Sequence, residues 1–475
     1  MAALHDLTAL EQGAAIRAGD VSPRELTEHY LGRIEELSDS VGAFVTVTDG
    51  PAMDAVALVE KRLTSAGRQE RMPPLLGVPT ALKDLNMTAG IRTTFGSAAT
   101  ADFVPEVSDE VVLRIEAAGL VSLGKTSTPE FGSPCYTEPD VAPPSRTPYD
   151  LGRMAGGSSG GAGAAVAAGL VPVAQGSDGG GSIRIPASCC GLFGLKPTRG
   201  RVSAAPVYGD PVGLGAIGPL ARTVRDAAAM LDVMAGPAVG DPFWAPPLPE
   251  GETFLDACSR DPGRLRIGRF STPVITATEL HPDCLRAYDD ATRLLEGLGH
   301  EVEEIDVPLP VDAVPVFETC WSVLSTLSEV PQDRQHLLRP LTRWLRDRGD
   351  AVTAPEFAFA VGELRRVAAS CLQRLAPYDA VLTPTLAQPP LRIGEIRDDD
   401  DPARDFENQK AFTPFTSAWN VTGMPAASLP LHTTTEGLPV GVMLAARPTQ
   451  ERLLLSLCAQ VEEAAPWRDR HPPCW

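Results

Sequence analysis

"MAGGSSGGAGAAVAAGLVPVAQGSDGGGSIRIPASCC", Met154 to Cys190, sets two serines, Ser158 and Ser182, in glycine clusters 24 residues apart. A serine in such a turn is a candidate nucleophile, because glycine lets successive backbone N–H groups converge on one point. Its proton must go to a base, yet no histidine lies between His29 and His281. Between the clusters, residues 159–168 read as a helix stopped by Gly169, and "LVPVAQ" (170–175) reads as a strand running into Gly179–Gly181.

The same alternation continues outward in both directions. Upstream, "LLGVPTALKDLN" (75–86) is an apolar strand ending at Lys83-Asp84, followed by a helix (109–119), a short strand (120–123) and a Pro/Gly-rich loop (126–157). Before it come "GAFVTVT" (42–48) as a strand and an alanine-rich helix from about Pro51 to Ala66. Two helices open the chain. Thr8 with Glu11 forms a capping box, and Ser22-Pro23-Arg24-Glu25 supplies an N-cap, a first-turn proline and a second box. Downstream, residues 236–251 hold five prolines and look like a linker within 236–263. Beyond it, "RLRIGRF" (264–270), a helix near 282–297 and "HEVEEIDVPL" (300–309) resemble a βαβ unit. "YDAVLTPTL" (378–386) and "LPVGVMLAA" (438–446) are further strands, and "RDDDDP" (397–402) reads as a solvated loop. The pattern predicts an α/β fold with a single large mixed β-sheet covered by helices on both faces.

Composition narrows the function. The 475 residues carry a net charge of −20, which opposes a nucleic-acid surface and suits a small-molecule partner. The nine cysteines contain no CxxC pair and read as reduced structural thiols. With no signal-peptide pattern at the N-terminus and no membrane-length apolar run, the expectation is a cytoplasmic protein without a membrane partner.

Each serine can be tested against known chemistry. Gly156-Gly157-Ser158-Ser159-Gly160 satisfies G-x-S-x-G, the nucleophile elbow of α/β-hydrolases, but "YDLGRMA" (149–155) is a weak strand to precede an elbow. A phosphate loop is disfavoured: G-x-x-x-x-G-K-[ST] is absent, and the G-x-G-x-x-G match at Gly161 fails at Val166. The plainer reading, glycines that only make turns, leaves Lys83 and the second cluster unexplained. Ser182 has the better setting. Three glycines precede it, a backbone geometry suited to holding the oxyanion of a tetrahedral intermediate.

"GVPTALKD" (77–84), "GGSSGG" (156–161) and "SDGGGSIRIPASCCGLFGLKPTRG" (177–200) together resemble the amidase signature family. "GKTSTPEFG" (124–132), "YDAVLTPT" (378–385), "WNVTGMPAASLPL" (419–431) and "GLPVGVML" (437–444) extend the resemblance over nearly the whole chain. It implies the amidase signature fold as one domain over residues 1–475, with a signature core at about 75–235 and a variable, substrate-side region at about 271–370. It also implies a Ser-Ser-Lys triad, with Lys83 as general base, Ser158 as relay across a cis Gly157–Ser158 peptide, and Ser182 as nucleophile. Gly179, Gly180 and Gly181, with the Ser182 N–H, would form the oxyanion hole; Asp178 and Arg184 would support its shape, an ordinary structural ion pair being the alternative for them. Gly132 and Ser133 would lie near the acyl group. Cys320 and Trp321, in the variable region, could line the pocket too, but core packing is the favoured role for them. No metal or organic cofactor is implied.

The lysine role carries a physical demand. An ordinary lysine, pKa about 10.4, is an ammonium ion at neutral pH; bringing it near 7 costs roughly 4 kcal/mol, within reach of full desolvation. The plainer alternative is a surface charge or a salt bridge to Asp84. The expected reaction is hydrolysis of a small-molecule amide through an acyl-Ser182 intermediate, with esters cleaved by the same chemistry. Alternatives are the glutaminase subunit of a tRNA-dependent amidotransferase, a hydrolase of linear or cyclic aliphatic oligoamides, and a silent binding paralogue. The stand-alone bacterial amidases are favoured by "LTRWLRDRGDAVTAPEFAFAVGELRR" (341–366), and the resemblance allows a homodimer. Two positions depart from the family pattern: Gly179 stands where Thr or Ile is usual, and Met424 replaces a frequent Gln.

Overall fold

The computed structural model describes residues 3–65, 72–207, 209–310 and 312–475. Both opening helices start where their caps predict. Thr8 Oγ1 accepts from Glu11 N (3.1 Å) and Glu11 returns the bond to Thr8 N (2.8 Å), opening α1 (Ala9–Ala18). Ser22 caps α2 (Pro23–Val41) by accepting from Glu25 N at 3.0 Å, but Glu25 makes no return bond, so the second box is half formed. β1 (Phe44–Val47) and α3 (Asp49–Ser65) follow; Ala66, the expected end of α3, lies outside the described residues. β2 (Pro79–Lys83), α4 (Glu110–Ala117), β3 (Val121–Thr126), α5 (Gly160–Ala167) and β4 (Val173–Asp178) then carry the signature segment. α5 is built from small residues and is buried on every side.

The chain continues through α6 (Arg184–Cys189), β5 (Phe193–Lys196), β6 (Ala216–Ala221), α7 (Val224–Met234) and α8 (Phe254–Ala257). β7 (Arg266–Arg269), α9 (Pro282–Gly297) and β8 (Glu301–Glu304) form the expected βαβ unit, the two strands pairing in parallel. Three helices come next: α10 (Ala313–Thr326), α11 (Pro340–Asp350) and α12 (Ala354–Leu375). The last elements are β9 (Ala380–Pro384), α13 (Pro402–Phe412), α14 (Ala418–Val421), β10 (Ala426–Thr433), β11 (Pro439–Ala446) and α15 (Glu451–Ala464).

The strands join one 11-stranded mixed sheet in the order β1-β3-β2-β4-β6-β5-β10-β11-β9-β7-β8, with helices packed around it. β2 runs parallel to both β3 and β4, so the carboxyl ends of β2 and β4, Lys83 and Asp178, emerge on the same side of the sheet. Such carboxyl ends are where open α/β sheets bind ligands. β5 pairs with β10, so strands from before and after the proline-rich segment share the sheet. That segment is not a free tether: Gly236 N–H donates to Arg201 O and Ala245 N–H to Gly200 O, both at 2.9 Å. The acidic run 397–402 is a loop, as expected, yet it is more than solvated charge. Asp399 pairs with the buried Arg339 at 2.7 Å, and Asp401 caps α13 by accepting from Arg404 N at 3.1 Å. All nine cysteines are unpaired, and burial pushes every one of their thiols above its ordinary pKa.

Candidate active site

Successive residues on a strand face opposite ways, and this separates Lys83 from its neighbour. Asp84 turns to Thr94, accepting from its N–H (2.9 Å) and Oγ1 (2.5 Å), and stands 3.8 Å from Lys125. Lys83 points the other way. Its Nζ lies 2.8 Å from Ser158 Oγ and donates to Ser177 Oγ (3.0 Å) and Ser177 O (3.2 Å). Neither plainer alternative holds: the lysine is fully buried, and among the described residues Asp84 stands in ion-pair range of Lys125, not of Lys83. Burial pulls its pKa down from 10.5 to about 7, against a smaller upward pull from Asp178. At neutral pH a substantial fraction of this amine is therefore uncharged.

Ser158 follows a cis Gly157–Ser158 peptide, as the resemblance implied. Ser159, at the start of α5, ties the two serine clusters together. Its N–H donates to Ser182 O (3.1 Å) and its Oγ to Ser177 O (3.1 Å). The two clusters are thus adjacent, although no direct hydrogen bond joins the Ser158 and Ser182 hydroxyls among the described residues. Hydrogen bonds of this kind tighten when substrate enters.

The turn holding Ser182 is shaped by Asp178. Its carboxylate accepts from Gly181 N (2.7 Å), Ile183 N (3.1 Å), Arg184 Nε (2.9 Å) and Nη2 (2.8 Å), and Asn420 Nδ2 (2.9 Å). Burial pushes the Asp178 pKa up, but Arg184, Lys196 and the Asn420 amide together outweigh it and hold the group well below the ordinary carboxylate range. Gly181 sits at φ +139°, and a Cβ there would stand 2.5 Å from Thr416 Oγ1, so no other residue fits. The glycines are not equivalent as donors. The Gly181 N–H is taken by Asp178, whereas those of Gly179, Gly180 and Ser182 have no protein acceptor among the described residues.

Ser182 and Gly180 open into a cavity whose wall is mainly apolar, with Ile275, Leu309, Val314, Phe317 and Trp321 prominent. Ser133 lines it too, accepting from Trp321 Nε1 at 3.3 Å, and Gly132 borders the adjoining cleft. Cys320 lines neither space. It is buried in a cluster with Val212, Leu214 and Val421, because one residue along α10 turns the side chain away and presents Trp321 instead. Met424 is likewise in the core. Sequence reasoning missed Ser177, which lies beside Asp178 within "SDGGG", and Asn420, which lies within "WNVTG". No group of three metal-ligating side chains occurs among the described residues.

A lysine buried beside Ser158, a second serine cluster adjoining it and backbone N–H groups with no protein acceptor among the described residues converge on one site. The Amidase family model matches residues 25–455, and the chain belongs to that family. It is an amidase, a hydrolase acting on carbon–nitrogen bonds. Among curated relatives, the 6-aminohexanoate-cyclic-dimer hydrolase of Paenarthrobacter ureafaciens is 36% identical over 496 residues, covering 98% of this chain and 96% of that protein. A solved 6-aminohexanoate cyclic dimer hydrolase superposes with TM-score 0.90 at 33% identity, covering 100% of both chains. A bacterial aryl acylamidase of the amidase signature family gives TM-score 0.87 at 27% identity, covering 98% of each.

Proposed function

We propose that this amidase hydrolyses a small-molecule carboxylic amide through an acyl-Ser182 intermediate, with Lys83 as general base and Ser158 as proton relay. The observation that carries the reading is the environment of Lys83, a buried amine with three oxygen contacts and, among the described residues, no carboxylate in ion-pair reach. In the neutral amine, two N–H bonds directed at Ser177 O and Oγ leave the lone pair for the Ser158 hydroxyl. Ser158 gives its proton to Lys83 as it takes one from Ser182, and Ser182 Oγ attacks the amide carbon. The oxyanion is held by the N–H groups of Gly179, Gly180 and Ser182, while Gly181 fixes the turn through Asp178. On collapse the proton returns through Ser158 to the leaving nitrogen; water then enters by the same relay, releasing the carboxylate and restoring Ser182.

Esters are cleaved by the same steps. The similarity to cyclic-dimer hydrolases and the apolar cavity favour, as a second reading, aliphatic oligoamides as the substrate class. The setting we infer is the cytoplasm, with no nucleic-acid or membrane partner; among the described residues no helix is long and apolar enough to cross a membrane.

Ser182→Ala tests the reading. It abolishes both turnover and the covalent adduct formed with a serine-directed phosphonate, read as intact mass; an adduct persisting on Ser158 would restore the elbow alternative. Turnover of simple amides by the chain alone separates this function from that of a glutaminase active only inside a complex.

A further inference from the structure

Two spaces meet at Trp321 and Ser133, which line both of them. One is the apolar cavity that Ser182 itself lines. Its charged members, Lys410 and Glu318, are paired with each other at 2.6 Å, so neither is left for a substrate charge. The other is a more polar cleft lined by Gly132, Gly179, Asp210 and Ser325. Gly132 on its wall stands close to Ser158: a Cβ there would lie 3.3 Å from Ser158 Oγ, behind Leu85 Cδ1 at 2.5 Å. The Trp321 indole is fixed by its Nε1–H bond to Ser133 Oγ (3.3 Å) and by stacking on Phe317 at 5.6 Å between centroids.

Gly179 shows why the indole can stand there. Its φ lies outside the left-handed region, so its backbone does not demand glycine, unlike that of Gly181. Chain neighbours apart, the only atoms among the described residues within 4 Å of a Cβ placed at Gly179 are Cη2 and Cζ3 of Trp321, both at 3.6 Å. A methyl group would just touch the ring; the further atoms of a threonine or isoleucine would occupy its place. Gly180 meets the same two atoms at 3.9 and 4.0 Å.

We propose that Gly179 and Trp321 act as one specificity element, the missing side chain seating the indole so that it divides the site into two arms. The inference rests on the roles proposed above for Ser182 and Ser158. The carbonyl carbon bonds to Ser182, which faces the apolar cavity, so the acyl chain lies there, along the Trp321–Phe317 stack. The leaving nitrogen must receive its proton from Ser158, so the amine points into the polar cleft. The preferred substrate class is an amide of an unbranched apolar acid with a small or polar amine.

The test is kcat/KM for 4-nitroanilides of acetic and octanoic acid, with Ser182 labelling by a small sulfonyl fluoride followed as intact mass. In Trp321→Ala the octanoyl-to-acetyl ratio falls at least about fivefold, the scale of losing part of an apolar wall. Gly179→Thr lowers the ratio in the same direction and has no further effect on it in the Trp321→Ala background. A ratio that falls less than that in Trp321→Ala, or a Gly179→Thr effect equally large with and without the indole, overturns the proposal. Should Trp321→Ala fail to fold, Trp321→Leu carries the same comparison. Failure of the wild-type chain to label at Ser182 would instead sink the underlying mechanism, so the two failures are distinguishable.

Discussion

In the mechanism proposed above, Lys83 acts through its surroundings more than through its reach. With its pKa lowered to about 7 by burial, the amine can accept a proton only in its neutral form. That fraction grows as pH rises through the pKa, so kcat/KM should climb through about pH 7 and level off above it. A pH–rate profile of the wild-type chain checks this, and a rate that falls over the same range would remove Lys83 as the base. Lys83→Ala removes the proton acceptor and should lower kcat by at least about a thousandfold. Ser177→Ala takes away one of the two acceptors that aim the amine, and should lower kcat by about tenfold while leaving KM nearly unchanged. The meeting of Lys83 with Ser158, and of the two serine clusters, was legible in the joint occurrence of three motifs. Asn420 was not, since its contact with Asp178 joins positions 242 residues apart. Choosing between Cys320 and Trp321 required the rotation of α10, and "AVPVFETCWSVLST" is apolar on too many sides to reveal it.

At the level of elements, the turn between β4 and α6 is held open by one buried ion pair. Arg184→Ala would leave the Asp178 carboxylate buried beside an empty space, which costs about 3–5 kcal/mol. A lowered urea midpoint together with lost turnover is the expected outcome, and an unchanged midpoint would show that the pair is dispensable. Helices with caps and strands bounded by turns could be read directly, as α1, α2 and the β7-α9-β8 unit attest. Of the elements that escaped, some carry such signals, as α12 does with its Thr353–Glu356 capping box, and others break the patterns. α6 is only six residues long with a proline inside it, and β6 carries Pro219 in its interior. Pro430 lies in β10 where the register with β11 slips between Leu429 and His432, the kind of irregularity at which a strand tolerates proline.

Across the whole molecule, one sheet draws strands from both sides of the proline-rich segment, and backbone hydrogen bonds bind that segment to the loop after β5. We expect activity, near-UV circular dichroism and tryptophan fluorescence to be lost at the same urea concentration. Two separated transitions would make residues 236–263 a boundary between independently folding parts. The state of the sulfur atoms has a practical corollary. A thiol that stays protonated and out of contact with solvent is a poor target for alkylating agents. Seven of the nine cysteines are buried, and the other two, Cys258 and Cys474, are only partly open. Iodoacetamide at neutral pH should therefore leave turnover intact where a fluorophosphonate stops it. In a crude extract, that pair of reagents would tell this catalyst apart from any amide-cleaving enzyme that works through a cysteine.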